Sequence, residues 1–278
     1  RKRELADQAG ESHVTTTHLF DDFKALLPFS LTGAQARCIA EIEEDMASSR
    51  PMNRLLQGDV GAGKTMVAFA AMLFAVEAGY QAALMAPTQI LAEQHFLGFQ
   101  KFAEKLDLRI SLRTGSRKDD NFAGGMFGDD EAQIVVGTHA LIHDKVKFSK
   151  LGLVVIDEQH KFGVSQRGAL AAQGTNPDML VMTATPIPRT LTMTVYGDLD
   201  VSILDELPAN RGKIITGVRP SNKSRQVTSF IKQQLEEGRQ AYIVYPLVEE
   251  SEKLKSASAI KEFETWQKRL GKYEVGLL

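Results

Sequence analysis

Residues 55–68 read LLQGDVGAGKTMVA, and the spacing G-x-x-x-x-G-K-T runs complete from Gly58 through Gly63, Lys64 and Thr65, with Gly61 inside the turn. Backbone N–H groups of such a turn converge on phosphate oxygens, and the helix that follows adds the partial positive charge of its N-terminus. Glycine is needed where the backbone bends through positive φ and must approach a ligand closely. Lys64 then reaches the β- and γ-phosphates while the Thr65 hydroxyl binds Mg²⁺. That chemistry needs a second source of carboxylate, and LGLVVIDEQH at 151–160 supplies Asp157 and Glu158 at the end of an apolar run. Asp157 is the expected second Mg²⁺ ligand, and Glu158 the group that orients or deprotonates the attacking water. Taken alone, an Asp-Glu pair after a strand is as often a solvated strand end; paired with the glycine turn it points to nucleotide hydrolysis.

The elements that must position these groups follow from the apolar patterning. Short β-branched or apolar runs recur as RLLQ at 54–57, AALMA at 82–86, QIVVG at 133–137, LGLVVI at 151–156 and MLVMT at 179–183. Residues 65–78 and 89–106 repeat apolar residues at three- and four-residue spacing, the pattern of amphipathic helices. Strands apolar on both faces, alternating with helices, mean an α/β fold with a mostly parallel sheet covered on both sides. Chemistry then belongs in the loops beyond the strand C-termini. After LPANRGK at 207–213, which reads as a linker, the alternation restarts: IITGV at 214–218, a helix near 222–237, AYIVYPL at 241–247, a helix near 256–270 and YEVGLL at the end.

Composition narrows the class. A chain of 278 residues, 43% hydrophobic and 24% charged, buries a real core and at this length favours two domains over one. The single cysteine, Cys38, excludes an internal disulfide framework and fits a reducing compartment, so the cytoplasm is the expected location. No apolar run reaches the length of a membrane span, and RKRELADQAG at 1–10 lacks the apolar core of a signal peptide. Residues 211–278 carry 13 Lys and Arg against 8 Asp and Glu, so a net charge of −2 conceals a basic C-terminal part and an acidic remainder.

The remaining words resemble one family. VIDEQHKFGVSQR at 155–167 and MTATPIPRTLTMTVYGDLDVSILDELP at 182–208 closely resemble the RecG-type helicases of superfamily 2, translocases that act on branched DNA. PFSLTGAQ at 28–35, APTQILAEQHF at 86–96 and VVGTHALI at 135–142 agree, in the order the family has them. The resemblance implies a RecA-like P-loop lobe at 28–208 preceded by a linker segment at 1–27, with the start of a second, partial RecA-like lobe at 209–278. It implies ATP and Mg²⁺ as cofactors and forked or branched DNA as partner. Gln35 matches the glutamine that reads the adenine edge, a task suited to an amide. Pro87, Thr88 and Gln94, and in a second segment Thr138 and His139, match residues that contact the DNA backbone without reading sequence; each is equally an ordinary loop or capping residue by local pattern. His160 matches a residue that contacts Thr183 and Thr185 and couples nucleotide state to DNA binding.

Two departures stand out. Lys161 occupies a position where relatives usually carry arginine, and 115–130 is glycine-rich and acidic where they carry a more basic helical segment. A second-lobe arginine finger and the wedge domain that splits the fork have no counterpart in these residues. The expectation is therefore an incomplete motor that turns ATP over poorly alone. Competing readings are the motor of a transcription-repair coupling translocase and a non-catalytic nucleotide-binding module. The intact Lys64, Thr65, Asp157 and Glu158 weigh against the second.

Overall fold

Strands that are apolar on both faces need helices on both faces, and that demand organises Arg1–Arg211, the first of the two units into which the chain divides; the second is Gly212–Leu278. The computed structural model describes residues 12–13, 18–121, 132–143, 146, 148–158, 170, 174, 176–185, 199–208, 214–245 and 252–277.

In the first unit the order is α1 (Leu19–Leu26), α2 (Gly33–Met46), β1 (Asn53–Gly58), α3 (Lys64–Glu77), β2 (Gln81–Met85), α4 (Gln89–Ala103), β3 (Ile110–Arg113), β4 (Lys118–Asp120), β5 (Ile134–Gly137), α5 (Ala140–His143), β6 (Leu151–Asp157), β7 (Asp178–Thr183) and β8 (Asp200–Leu204). Eight strands form one sheet in the order β4-β3-β5-β2-β6-β7-β1-β8. Every pairing is parallel except β3 with β4.

Side chains alternate across the sheet with period two. Leu56, Ala82, Leu84, Val136, Leu153 and Val155 enter a core with α1 to α4, while Ala83, Met85, Val135, Val154 and Ile156 enter a second core with Leu141 of α5, Val146 and Leu170. The α/β fold with covered faces is thus observed. In α3, Val67–Val76 are all buried. The amphipathic pattern expected there gives way to a helix that is apolar all round, because α1, α2 and α4 enclose the side turned away from the sheet.

Three strands escaped the reading of the sequence, and each carries polar residues satisfied by distant partners. Ser111 and Arg113 of β3 meet Asp120 of β4 at 2.5 and 2.9 Å. In β8, Ser202 bonds Glu41 and accepts from Arg54 at 2.8 Å, and Arg54 also pairs with Asp45 at 2.7 Å. Residues 1–27, expected as a linker, include α1, whose Phe23 is fully buried with ring centroids 5.0 Å from Phe69 and 5.1 Å from Phe102. His13 bonds Asp178 at 2.7 Å, and the second oxygen of that carboxylate accepts from the Met52 amide at 2.5 Å. Burial nevertheless pushes the Asp178 carboxyl above its usual range.

The second unit has helices where the pattern expects them, α6 (Ser224–Glu236) and α7 (Glu252–Leu270), with a 3-10 turn at Ser221–Lys223 before α6. Among its described residues Trp266 and Leu270 are buried; the indole donates to the Tyr245 hydroxyl at 2.8 Å, which donates to Glu262 at 2.9 Å. The expected strands are a correction: the described residues of 214–218, 241–247 and 273–278 are not in strands. A strand exists only where a neighbour takes up its N–H and C=O groups. Here Ile215, Val218 and Val244 stand 85%, 91% and 86% exposed, and among the described residues no ladder runs beside them. Among the described residues no helix is long and apolar enough to cross a membrane.

Candidate active site

The site begins at the C-terminal end of β1, where the chain must leave the sheet and start α3. Gly61 and Gly63 take φ of 83° and 89°, conformations that cost other residues about 1 kcal/mol or more. A Cβ on Gly63 would fall 2.2 Å from Gln35 Nε2, and one on Gly58 2.8 Å from the Leu204 side chain, so neither glycine has room for a larger residue. Gly63 caps α3, leaving the first amides of that helix directed into the turn.

Lys64 Nζ donates to the carbonyls of Gly58 at 2.7 Å and Asp59 at 3.0 Å, bridging its own loop. Burial draws its pKa below the ordinary ammonium value, while Glu158 and Asp157 push it back up. Both carboxylates therefore act on this ammonium.

The register explains how residues ninety positions apart meet. Asp157 pairs with Met182, Met182 with Leu56, and Gly58 with Leu204, so β6, β7, β1 and β8 end along one edge. Asp157 is 8% exposed at that edge. Glu158, next in the chain, has φ of 51°. A β-unbranched acid held in the left-handed region costs roughly 1–3 kcal/mol and is a feature that clusters at functional sites. Thr183 follows at the end of β7, and its Oγ1 lies 2.8 Å from that of Thr185 and accepts from the Thr185 amide at 3.2 Å. His160, expected to contact these threonines, lies outside the described residues, as do Lys161 and most of 182–208 beyond Thr185.

Gln35 approaches the turn from beneath. Thr32 and Gln35 form a reciprocal capping box at the start of α2: the Gln35 amide donates to Thr32 Oγ1 and the Thr32 amide to Gln35 Oε1. The same side chain donates from Nε2 to the Ala62 carbonyl at 2.8 Å and is 2% exposed.

The expected DNA-facing residues follow the ends of β2 and β5, which are neighbours with Met85 opposite Gly137. Thr88 caps α4 by accepting from the Leu91 amide at 3.3 Å. Gln94 is exposed on the same helix. Thr138 is buried and accepts from the Ala140 amide at 3.4 Å, while His139 is exposed. Pro87 is half-buried between β2 and that cap. Along one edge, then, stand Thr138, Pro87, Asp157, Thr183 and Gly58, with β6 in the middle. One residue went unremarked in the sequence: His95 Nε2 lies 2.8 Å from Asp157 Oδ2. A histidine directly after Gln94 was the available signal, but nothing local says what it faces.

A family model described as DEAD/DEAH box helicase matches residues 32–194, more than half of the chain. The chain belongs to the DEAD/DEAH box helicase family. Within it, ATP-dependent DNA helicase RecG of Streptococcus pneumoniae is 51% identical over 92% of this chain and 38% of its own length. RecG of Bacillus subtilis is 49% identical over 91% of the chain and 37% of that protein. The solved structure of RecG bound to a three-way DNA junction superposes with a TM-score of 0.76 at 39% identity, covering 97% of this chain and 35% of that one. A Saccharomyces cerevisiae Dbp5 structure, at 17% identity, covers 90% of this chain and 74% of that one with a TM-score of 0.58, a likeness of fold alone. The chain thus spans well under half the length of its curated relatives. The first unit is the RecA-like P-loop fold that this resemblance implies.

Proposed function

We propose that the chain supplies the ATP-binding lobe of an ATP-dependent helicase acting on branched DNA, with 28–208 as that lobe and 209–278 as the opening of a second. The observation that carries this reading is the single sheet edge on which the Gly58–Thr65 turn, Asp157 and Glu158 stand beside the loops after β2 and β5. The division between Arg211 and Gly212 supports the lobe boundary, with α1 and His13 belonging to the first lobe rather than to a linker.

ATP fits the turn by the chemistry of its donors. The α3 amides carry partial positive charge and Lys64 Nζ a full one; the present partners of Nζ, the carbonyls of Gly58 and Asp59, are what phosphate oxygens would replace. Mg²⁺ fits as an ion carried in with the phosphates, since it is held by one or two carboxylates plus phosphate oxygens and waters. Thr65 and Asp157 are the residues that would hold it. When bound, it neutralises charge on the β- and γ-phosphates. Glu158 then orients and deprotonates the attacking water, Lys64 stabilises the charge developing on the γ-phosphate, and the Gly58–Gly63 backbone fixes the phosphates in line. Gln35 keeps a second amide N–H and a second Oε1 lone pair with which to meet the adjacent acceptor and donor of adenine, while its bond to Ala62 holds it in place. Pro87, Thr88, Gln94, Thr138 and His139 would grip phosphates of the DNA strand, and His160 with Thr183 and Thr185 would link the two halves. A wedge domain and the rest of the second lobe are expected partners in the whole protein, and a reducing, cytoplasmic setting suits the lone buried thiol.

The test is DNA-stimulated ATP hydrolysis by the whole protein on forked and linear duplexes. Lys64→Ala is expected to lose nucleotide binding. Glu158→Gln is expected to keep ATP binding and lose hydrolysis by about 100-fold or more, the typical worth of a general base. Hydrolysis that survives Glu158→Gln unchanged would sink the reading.

A further inference from the structure

Helix α4 places a histidine on the carboxylate at the end of β6. His95 and Asp157 are 11% and 12% exposed at the side chain and 2.8 Å apart, so water cannot readily substitute for either partner. A carboxylate only accepts, so His95 Nε2 carries the proton of this bond. Packing holds the ring from its other side: it lies over Phe99 at 5.9 Å and 25°, and Phe99 stacks on Phe69 of α3 at 4.7 Å and 19°. The imidazole is thereby held between the Asp157 carboxylate and Phe99 of its own helix, which Phe69 of α3 backs in turn. The bond takes one lone pair of Oδ2 and leaves the whole of Oδ1 for another partner. Orientation of a ligating carboxylate by a hydrogen bond from outside the ligand set is worth roughly 10–100-fold in metal affinity in well-studied sites.

We propose that His95 is a positioning residue, which holds the Asp157 carboxylate in the orientation that Mg²⁺ requires; this rests on the nucleotide-binding reading of the Gly58 turn. The geometry makes the role specific to the atom. Because the donor is Nε2 and not Nδ1, glutamine places an amide nitrogen where the bond is made, whereas asparagine falls short. Phenylalanine keeps a ring against Phe99 and deletes the donor.

The experiment titrates Mg²⁺ against fluorescent ADP bound to the whole protein, with EDTA as the metal-free reference, for wild type, His95→Phe, His95→Gln and His95→Asn. For His95→Phe, the Mg²⁺ concentration giving half of the metal-dependent signal is expected to rise about 10-fold or more. Its ADP affinity in EDTA should stay at the wild-type value, while its thermal midpoint falls as the buried carboxylate loses its donor. His95→Gln should return most of the Mg²⁺ response and His95→Asn little of it. An unmoved Mg²⁺ response in His95→Phe, an equal loss with and without metal, or rescue by asparagine as complete as by glutamine would each overturn the role of His95 while leaving the nucleotide site standing. Failure of the wild-type protein to bind fluorescent ADP in either condition would instead remove the nucleotide reading, and this inference with it.

Discussion

At the scale of single residues the first unit keeps its reactive groups either engaged or shielded. Cys38 is fully buried on α2, its thiol 3.6 Å from the Ile203 carbonyl, and burial pushes its pKa from 9.0 up to about 11, with Glu41 adding to the shift. The thiolate is the reactive form, so the native thiol is inert at neutral pH. Ellman's reagent is expected to label Cys38 at the rate of global unfolding, and fast labelling of native protein would contradict the packing. The linkage has a definite sign. The folded state holds this proton to higher pH than the unfolded state does, so between pH 9 and 11 the unfolded chain ionises first and stability falls as pH rises. Cys38→Ala should flatten that part of the stability profile relative to wild type, measured by urea unfolding across the same window. Lys64 shows the opposite case, an ammonium drawn down by burial and held near its charge by Glu158 and Asp157.

Among elements, α2 is the one whose ends matter most to the site. Its first turn is held three ways: Thr32 accepts from Gln35, Gln35 accepts from Thr32, and Glu206 accepts from the Ala34 amide at 3.1 Å. An acidic side chain at a helix N-terminus also opposes the positive end of the dipole. Arg37 adds a bond to Asp205, an exposed pair worth little by itself. Thr32→Ala removes one limb of the capping box and is expected to cost about 1 kcal/mol in urea unfolding. It also loosens Gln35 against Ala62, so the same variant should raise the nucleotide dissociation constant, whereas Thr32→Ser should leave both near wild type. A capping residue of purely local effect would change stability and leave nucleotide affinity alone. The α3 helix behaves differently, since enclosure by its neighbours holds it and its Gly63 cap offers no side chain.

For the whole molecule the two units differ in how their backbones are satisfied. The first has an eight-stranded ladder with cores on both faces, and its central strands β5 and β6 are buried along their full length. In the second, residues 214–220 and 241–245 lie outside regular structure and are exposed. Amide exchange follows the opening free energy of each segment. The amides of β6 and β7 are therefore expected to exchange only on global unfolding, and those of 214–220 and 241–245 within seconds to minutes. Protection of 214–220 equal to that of β6 would show a ladder partner for that segment.

What could be read from the residues alone was what depends on neighbours in the chain. The Gly58–Thr65 spacing and the strands β1, β2, β5, β6 and β7 are local patterns of apolar period and turn chemistry, and so were α6 and α7. The two carboxylates after β6 were legible for the same reason. Tertiary structure decided the rest. Polar β3 and β8 are strands because Asp120, and Glu41 with Arg54, arrive from other elements to satisfy them, and among the described residues no partner strand meets 214–218. Above all, the strand order determines who meets whom: only when β6 lies between β2 and β7 can a histidine of α4 reach the aspartate that ends β6. A hydrogen bond spanning so much of the chain leaves no period in the sequence, because its geometry is set by the packing of whole helices against the sheet.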